Sequence, residues 1–303
     1  MEIMPCIVCG DKNKERILKI RDYHYSIPGE YQVSHCNTCG LLQLDPMPTP
    51  EELAGRYSSA YPSYQPARKF DWKRKLAQKI WRGTIPTHNP SFDKPGDFLD
   101  VGCANGFYVQ KMKDAGWNAK GVEPGDEGVK SGRAAGLDIF HGTLHDAHFP
   151  DNSFDYVRLN HSFEHILNPV EVLQEIFRVL RPGGKCYIGV PNVDSILYRI
   201  FGGYWWYTGP LHTYGYSPST LSKLLERTGF KVDHVYFNSN YASIFGSLQI
   251  YVHRKQLTGP ASEGPLLNNW LLRIIGTWTA RLLDLFHQGD AMEILSTKPA
   301  NPA

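Results

Sequence analysis

The chain has 303 residues, 42% of them hydrophobic and 20% charged, with a formal net charge of +2. That size and composition fit one large folded domain or two unequal ones. The near-balanced charge gives no electrostatic case for a nucleic-acid partner, and no apolar run is long enough to span a bilayer.

The opening residues, Met1-Glu2-Ile3-Met4-Pro5, lack the basic and apolar regions of a signal peptide. Two knuckles follow, Cys6-Ile7-Val8-Cys9-Gly10 and Cys36-Asn37-Thr38-Cys39-Gly40. Cysteines spaced i, i+3 around a tight turn can both point at one ion, and the glycine after each pair permits the positive φ such turns use. Cys6, Cys9, Cys36 and Cys39 make a tetrahedral thiolate set suited to structural Zn²⁺, with no open position for chemistry. Paired C-x-x-C spacing points to a metal in a reducing compartment rather than a disulfide framework, so a cytoplasmic location is expected. The other two cysteines, Cys103 and Cys186, read as ordinary core residues. A segment so small has little core of its own, and metal would supply folding energy. The zinc module is expected over 1–66.

Residues 44–53 carry three prolines, and Thr49 can cap a short helix opening at Pro50. Tyr57, Tyr61 and Tyr64 follow, placed either to dock on the rest of the chain or to wall a pocket. Residues 67–96 read as a basic helix over 68–82 and a linker rich in Pro, Asn and Gly.

From 97 onward strand and helix patterns alternate. Strands are expected at 97–101, 118–123, 137–140, 154–160, 184–190 and 230–237, and helices at 105–116, 126–135, 168–181 and 217–228. The alternation predicts an α/β, doubly wound parallel sheet, Rossmann-like in form. Asn168-Pro169 and Ser217-Pro218 place a capping residue before a first-turn proline, and Arg181-Pro182-Gly183-Gly184 reads as a helix end turning into a strand.

The first strand ends in Asp100-Val101-Gly102-Cys103-Ala104-Asn105-Gly106-Phe107. Small residues there let backbone approach a ligand at the carboxyl end of a strand, where open α/β sheets bind. Phe107 stands where a third dinucleotide-binding glycine would fall, which argues against NAD or FAD. Glu123 ends the second strand 21 residues after Gly102 and can accept both hydroxyls of a ribose.

These stretches, LDVGCANG, then GVEP, FPDNSFDYV and LRPGGKCYIGVPN, resemble the class I S-adenosylmethionine-dependent methyltransferases, over roughly 97–238 and again at 289–295. The whole chain, knuckles included, is similar to bacterial methyltransferases of cell-surface polysaccharide and secondary-metabolite pathways. The resemblance implies a seven-stranded sheet with an antiparallel last strand, over a domain of 97–303. It also implies that Asp100, Gly102, Ala104 and Gly106 line the methionine part of the cofactor. By the same likeness Glu123 holds the ribose, Thr143 and Leu144 lie beside adenine, and Asn160 faces the sulfonium. Ala104 replaces the more usual glycine, and Thr143 stands where many relatives carry an acid. The nearby His141, His145 and His148 read as surface residues.

After the fourth strand comes His161-Ser162-Phe163-Glu164-His165. In a helical turn, positions 161, 164 and 165 share one face. Two imidazoles and a carboxylate converging there can bind a divalent metal, serve as acid and base, or only orient the following helix. The segment resembles the E-x-x-E-H of ubiquinone-type and small-RNA 2′-O-methyltransferases, with His161 in place of the first glutamate and His212 where a later histidine falls. Residues 201–210 bracket Tyr204-Trp205-Trp206-Tyr207 with glycines, which suits either packing or a loop closing over a sugar or flat apolar surface.

An insertion is expected over 239–290. Within it, Leu267, Trp270, Leu271, Ile274, Ile275, Trp278, Leu282 and Leu285 recur at helical spacing. This amphipathic helix, 266–286, can pack on its own domain, form a homodimer or lie on a membrane. The expected function is methylation of a sugar or small-metabolite hydroxyl, with sugar C-methylation and a non-catalytic cofactor-binding role as alternatives.

Overall fold

A computed structural model describes residues 5–25, 27–57, 64, 94–254 and 264–300. The basic helix expected at 68–82, most of the linker after it, and Tyr61 lie outside the described residues.

Two sheets organise the chain. The smaller one begins with β1 (Lys14–Ile20), β2 (Tyr31–Cys36) and β3 (Leu42–Leu44), followed by α1 (Pro50–Gly55). As expected, Thr49 caps α1, and Glu52 reaches back to its backbone to close a capping box.

The larger sheet contains β4 (Asp97–Val101), β5 (Asn118–Glu123), β6 (Ile139–His141), β7 (Phe154–Asn160), β8 (Leu180–Pro191), β10 (Lys231–Phe237) and β11 (Ala291–Thr297), with β9 (Tyr214–Gly215) lying outside it. Its strand order is β10-β11-β8-β7-β4-β5-β6. β11 runs antiparallel to both neighbours, and the pairs from β8 through β6 are parallel. This is the expected doubly wound sheet with its antiparallel strand inside the edge. Leu99, Val157 and Ile188 enter one buried layer, and Phe98 and Tyr156 enter the other. Burial on both faces explains why these strands read as nearly continuous apolar runs. Cys103 and Cys186 are buried in these layers, as expected.

The helices α2 (Phe107–Asp114), α3 (Asp126–Ala134), α4 (Pro169–Val179) and α6 (Pro218–Arg227) fall where the pattern placed them; α5 (Ile196–Phe201) was not expected. Two details differ. Asn168 makes no cap bond and instead donates to Glu171 at 2.6 Å. β8 already begins at Leu180, so Arg181–Gly184 is a bulge, where β8 advances five residues against two of β7. Arg181 anchors it through Asp97 and Asp155.

The small sheet is not closed by N-terminal residues alone. Its fourth strand is β9, with Leu42 opposite Gly215 and Gln43 opposite Tyr214. Cys6, Val8, Cys36 and Leu41 belong to the same buried cluster as the large sheet. The insertion between β10 and β11 is a helical arm, α7 (Tyr241–His253), α8 (Pro265–Asn268) and α9 (Trp270–Leu285). Among the described residues, no helix is long and apolar enough to cross a membrane.

Candidate active site

The turn after β4 is built on unusual backbone. Gly102, Ala104 and Gly106 all have positive φ, at 73°, 49° and 75°. A Cβ on Gly102 would come within 2.5 Å of Ser162, so the turn presses directly on the segment after β7. On the other side Gly128 of α3 sits so close that an added Cβ would lie 2.9 Å from the Ala104 carbonyl oxygen. Glu123 is buried at the floor of this crevice, accepting from the backbone N–H of Ala104 at 2.8 Å and of Gly125 at 2.7 Å. Burial raises its pKa against the pull of those two donors. Small residues, three left-handed backbones and a floor carboxylate fit a nucleoside whose ribose meets Glu123. The hydroxyl of Tyr64 also reaches Glu123, and burial followed by that charge pushes its pKa up.

The other residues matched by resemblance are placed differently from one another. The Asp100 carboxylate pairs with Arg158 at 2.9 Å inside the sheet. Burial raises its pKa, and Arg158 opposes the shift. Arg158, missed in the sequence, also stacks its guanidinium 3.7 Å from the Tyr108 ring centroid. Thr143 binds Asp146 through both its N–H and its hydroxyl. That T-x-x-D pattern was readable as a local turn. Leu144 is buried in the main core. Asn160 lies at the end of β7 with its Oδ1 3.4 Å from the Tyr187 hydroxyl. His141, His145 and His148 are exposed, as expected.

At the carboxyl end of β7 a second constellation forms. His161 adopts φ 52°, and Phe163–His165 make one 3-10 turn. This turn brings Glu164 beneath three imidazoles. Glu164 Oε1 lies 3.5 Å from His161 Nδ1, 4.0 Å from His165 Nε2 and 3.9 Å from His212 Nε2. His212 arrives from 47 residues away because Thr213 staples its loop to this turn. The Thr213 N–H and hydroxyl both donate to the Glu164 carbonyl, at 2.8 and 2.9 Å. His165 Nδ1 lies 2.9 Å from the Leu211 carbonyl oxygen, which can only accept; the proton therefore sits on Nδ1 and the Nε2 lone pair is free.

Glu164 is 1% exposed, and neither carboxylate oxygen has a hydrogen-bond partner. Burial opposes its ionisation, but the surrounding imidazoles outweigh burial and hold its pKa at about 2. Burial lowers His165, and burial with His165 nearby pushes His212 down to about 3. At neutral pH Glu164 is a carboxylate beside the neutral imidazoles of His165 and His212. Such a set can receive a proton, or hold a divalent cation between Glu164, His165 and His212, whose ligating atoms lie within 4.8 Å of one another.

The aromatic loop divides its work. Trp205 is buried, and Trp206 packs on Gly246 of α7 and on His24 of the N-terminal region. Tyr207 stacks on His161 with centroids 5.7 Å apart. Tyr57 lies 6.0 Å from His165 and 6.4 Å from Tyr64, so a row of rings runs from the cluster to Glu123. Tyr64 packs on Gly125 and Gly128, beside Glu123. An apolar cleft beside Tyr207 and His212 is lined by Leu18, Val33, Leu42 and Val193.

The knuckles converge as well. The sulfurs of Cys6 and Cys39, and of Cys9 and Cys36, are 3.5 Å apart, and all four lie within 4.8 Å. A disulfide would need about 2 Å. Sulfurs held about 2.3 Å from a tetrahedral Zn²⁺ stand about 3.7 Å apart, so the geometry fits a small zinc-binding module.

Comparison with known proteins agrees with this geometry. A family described as a methyltransferase domain matches residues 72–235, more than half of the chain. A probable S-adenosylmethionine-dependent methyltransferase of Mycolicibacterium smegmatis is 32% identical over 139 residues, 45% of this chain and 52% of that protein. A demethylmenaquinone methyltransferase of Listeria welshimeri is 33% identical over 93 residues, 30% of this chain and 39% of that protein. The chain thus spans about half the length, or less, of these curated relatives. Among solved structures, the cyclase SpnF superposes with a TM-score of 0.50 at 19% identity, covering 84% of this chain and 97% of that one. That likeness concerns the fold alone, and a fold hosts more than one chemistry.

Proposed function

We propose that the chain, which belongs to the methyltransferase domain family, is a class I S-adenosylmethionine-dependent methyltransferase with a small N-terminal zinc-binding module, and that it methylates a hydroxyl of a small molecule, a sugar or comparable metabolite. The likeness to demethylmenaquinone methyltransferases supports a small-molecule acceptor. S-adenosylmethionine, when bound, supplies an electrophilic methyl group on a sulfonium. Gly102, Ala104 and Gly106 would lie along its methionine part, with Asp100 behind them in the sheet. Glu123 would hold the ribose, Thr143 and Leu144 the adenine end, and Asn160 the reacting end.

The observation that carries the reading is the buried Glu164 carboxylate, unpartnered beneath His161, His165 and His212. An acceptor hydroxyl entering there would give its proton to His165 Nε2 as its oxygen bonds the methyl carbon, the methyl–sulfur bond breaking with its electron pair left on the departing neutral thioether. Glu164 would stabilise the imidazolium, and the Leu211 carbonyl would keep the ring from turning. Tyr207 and Tyr57 would flank the acceptor and restrict water.

The same unpartnered oxygens favour a second reading, in which Glu164, His165 and His212 hold a divalent cation that orients and acidifies the hydroxyl. The test is single-turnover kinetics over a panel of hydroxylated acceptors, with calorimetry for cofactor affinity. His165→Ala should cut turnover about 10²–10⁴-fold while S-adenosylmethionine affinity changes less than about threefold. Full turnover in both His165→Ala and His212→Ala would end the reading, and cofactor binding without turnover on any acceptor would favour the non-catalytic alternative. After chelation and refilling of the cysteine site with one equivalent of Zn²⁺, turnover that returns only with added Mg²⁺ or Mn²⁺ selects the cation.

A further inference from the structure

The helical arm between β10 and β11 is built inside out. α9 packs on α7 through small residues: Gly276 and Ala280 are buried, and a Cβ on Gly276 would lie 2.6 Å from Phe245. Its large apolar side chains point away from the protein. Leu271, Ile275, Trp278, Leu282 and Leu285 form one stripe, each between 50% and 72% exposed, with Trp270 beside it at 66%. The stripe is about 21 Å long at 1.5 Å per residue, a contiguous exposed apolar surface of the kind that marks an interaction site.

Charge selects its occupant. Residues 238–290, between β10 and β11, carry Arg254, Lys255, Arg273 and Arg281 against Glu263, Asp284 and Asp290, a net charge of +1. Among the described residues the acids of this segment are withdrawn from its surface, Asp284 held by the N–H and hydroxyl of Ser239 and Asp290 0% exposed, whereas Arg254 and Arg273 are exposed. Arg281 lies over the Trp278 ring and Arg273 over Tyr241. A second copy packed on the stripe would bring the same cations and, among the described residues of this segment, no exposed acid to meet them. An anionic bilayer surface takes both the apolar stripe and the arginines.

We propose that α9 lies in the interface of an anionic membrane, with Trp270 and Trp278 at headgroup depth and Arg254 and Arg273 on lipid phosphates. The arm is locked to the candidate site: Trp206 donates to Ser247 of α7 at 2.9 Å, and Asn240 at the start of α7 meets the Tyr207 hydroxyl at 3.2 Å. A bound membrane would therefore stand beside the loop that covers His161. The inference stands whatever reaction the site performs.

The experiment is co-sedimentation of the full chain with phosphatidylcholine vesicles containing about one third phosphatidylglycerol, and with phosphatidylcholine alone. The protein should sediment with the anionic vesicles and release as salt rises. The exposed double variant Trp278→Ser, Leu282→Ser should bind at least about tenfold more weakly, and Arg254→Gln and Arg273→Gln about fivefold more weakly each, with circular dichroism and cofactor affinity unchanged. No sedimentation with either vesicle, or binding these substitutions leave intact, overturns the proposal. So does a dimer by light scattering that the double variant dissociates, which would give the face to a second copy.

Discussion

Glu123 holds its loop before any ligand arrives, because its two oxygens accept from Ala104 and Gly125. Glu123→Ala would orphan both donors and should cost about 1–3 kcal/mol of stability in addition to cofactor affinity. Glu123→Gln keeps one acceptor and should separate the effects: calorimetry should show S-adenosylmethionine binding weakened at least about tenfold, roughly 1.4 kcal/mol, with most of the stability retained. Unchanged affinity would remove the ribose assignment. Asp290 is a different kind of buried acid, 0% exposed with neither oxygen hydrogen-bonded. Burial raises its pKa to about 6. Between the unfolded value near 3.8 and about 6 the native state binds more protons than the unfolded state, so stability falls as pH rises through that window. The loss should total about 3 kcal/mol, and denaturant midpoints of Asp290→Asn should lack it. That His161, Glu164 and His165 converge was legible from their spacing. The lone pair on His165 was not, because it depends on the Leu211 carbonyl.

At the scale of elements, alternating patterns located the strands and helices of the large sheet because both sheet faces are buried and the capping residues are local. Tertiary contact decided the outcome where local pattern misled or left it open. Arg181–Gly184 joined β8 because Arg181 is tethered to two aspartates. The stripe on α9 faced outward because Gly276 and Ala280 allow a closer approach to α7 than large side chains would. The glycines of α3 carry a sharper consequence. Gly128→Ala gains about 1 kcal/mol of helix propensity, yet its Cβ would press on the Ala104 carbonyl, which is backbone and cannot turn aside. The variant should lose about 1–3 kcal/mol net and bind the cofactor more weakly, as a thermal melt and a titration would show. A stabilised protein with normal affinity would mean the loop gives way freely.

Over the whole molecule, the N-terminal module and the large domain share one core and one sheet edge. Arg227 of α6 donates to the Ile7 carbonyl at 3.0 Å, and β9, two residues past His212, completes the small sheet. Losing the metal should therefore reach the site. Cys36→Ser or chelation should lower a single thermal transition by more than about 5 °C, roughly 2 kcal/mol for a chain this size, and reduce turnover, with one zinc per chain measured in the untreated protein. A separate early transition that leaves the main one and the activity intact would show the module to be independent. The sequence by itself determined the doubly wound sheet, the small-residue turn with Glu123 beside it, and the four-cysteine set, because each is encoded by short-range spacing or periodicity. Only the tertiary structure decided that His212 meets Glu164, that β3 borrows its partner from the large domain, and that α9 turns its apolar stripe outward. Those outcomes depend on which surfaces fit together across distant parts of the chain, and no local pattern carries that information.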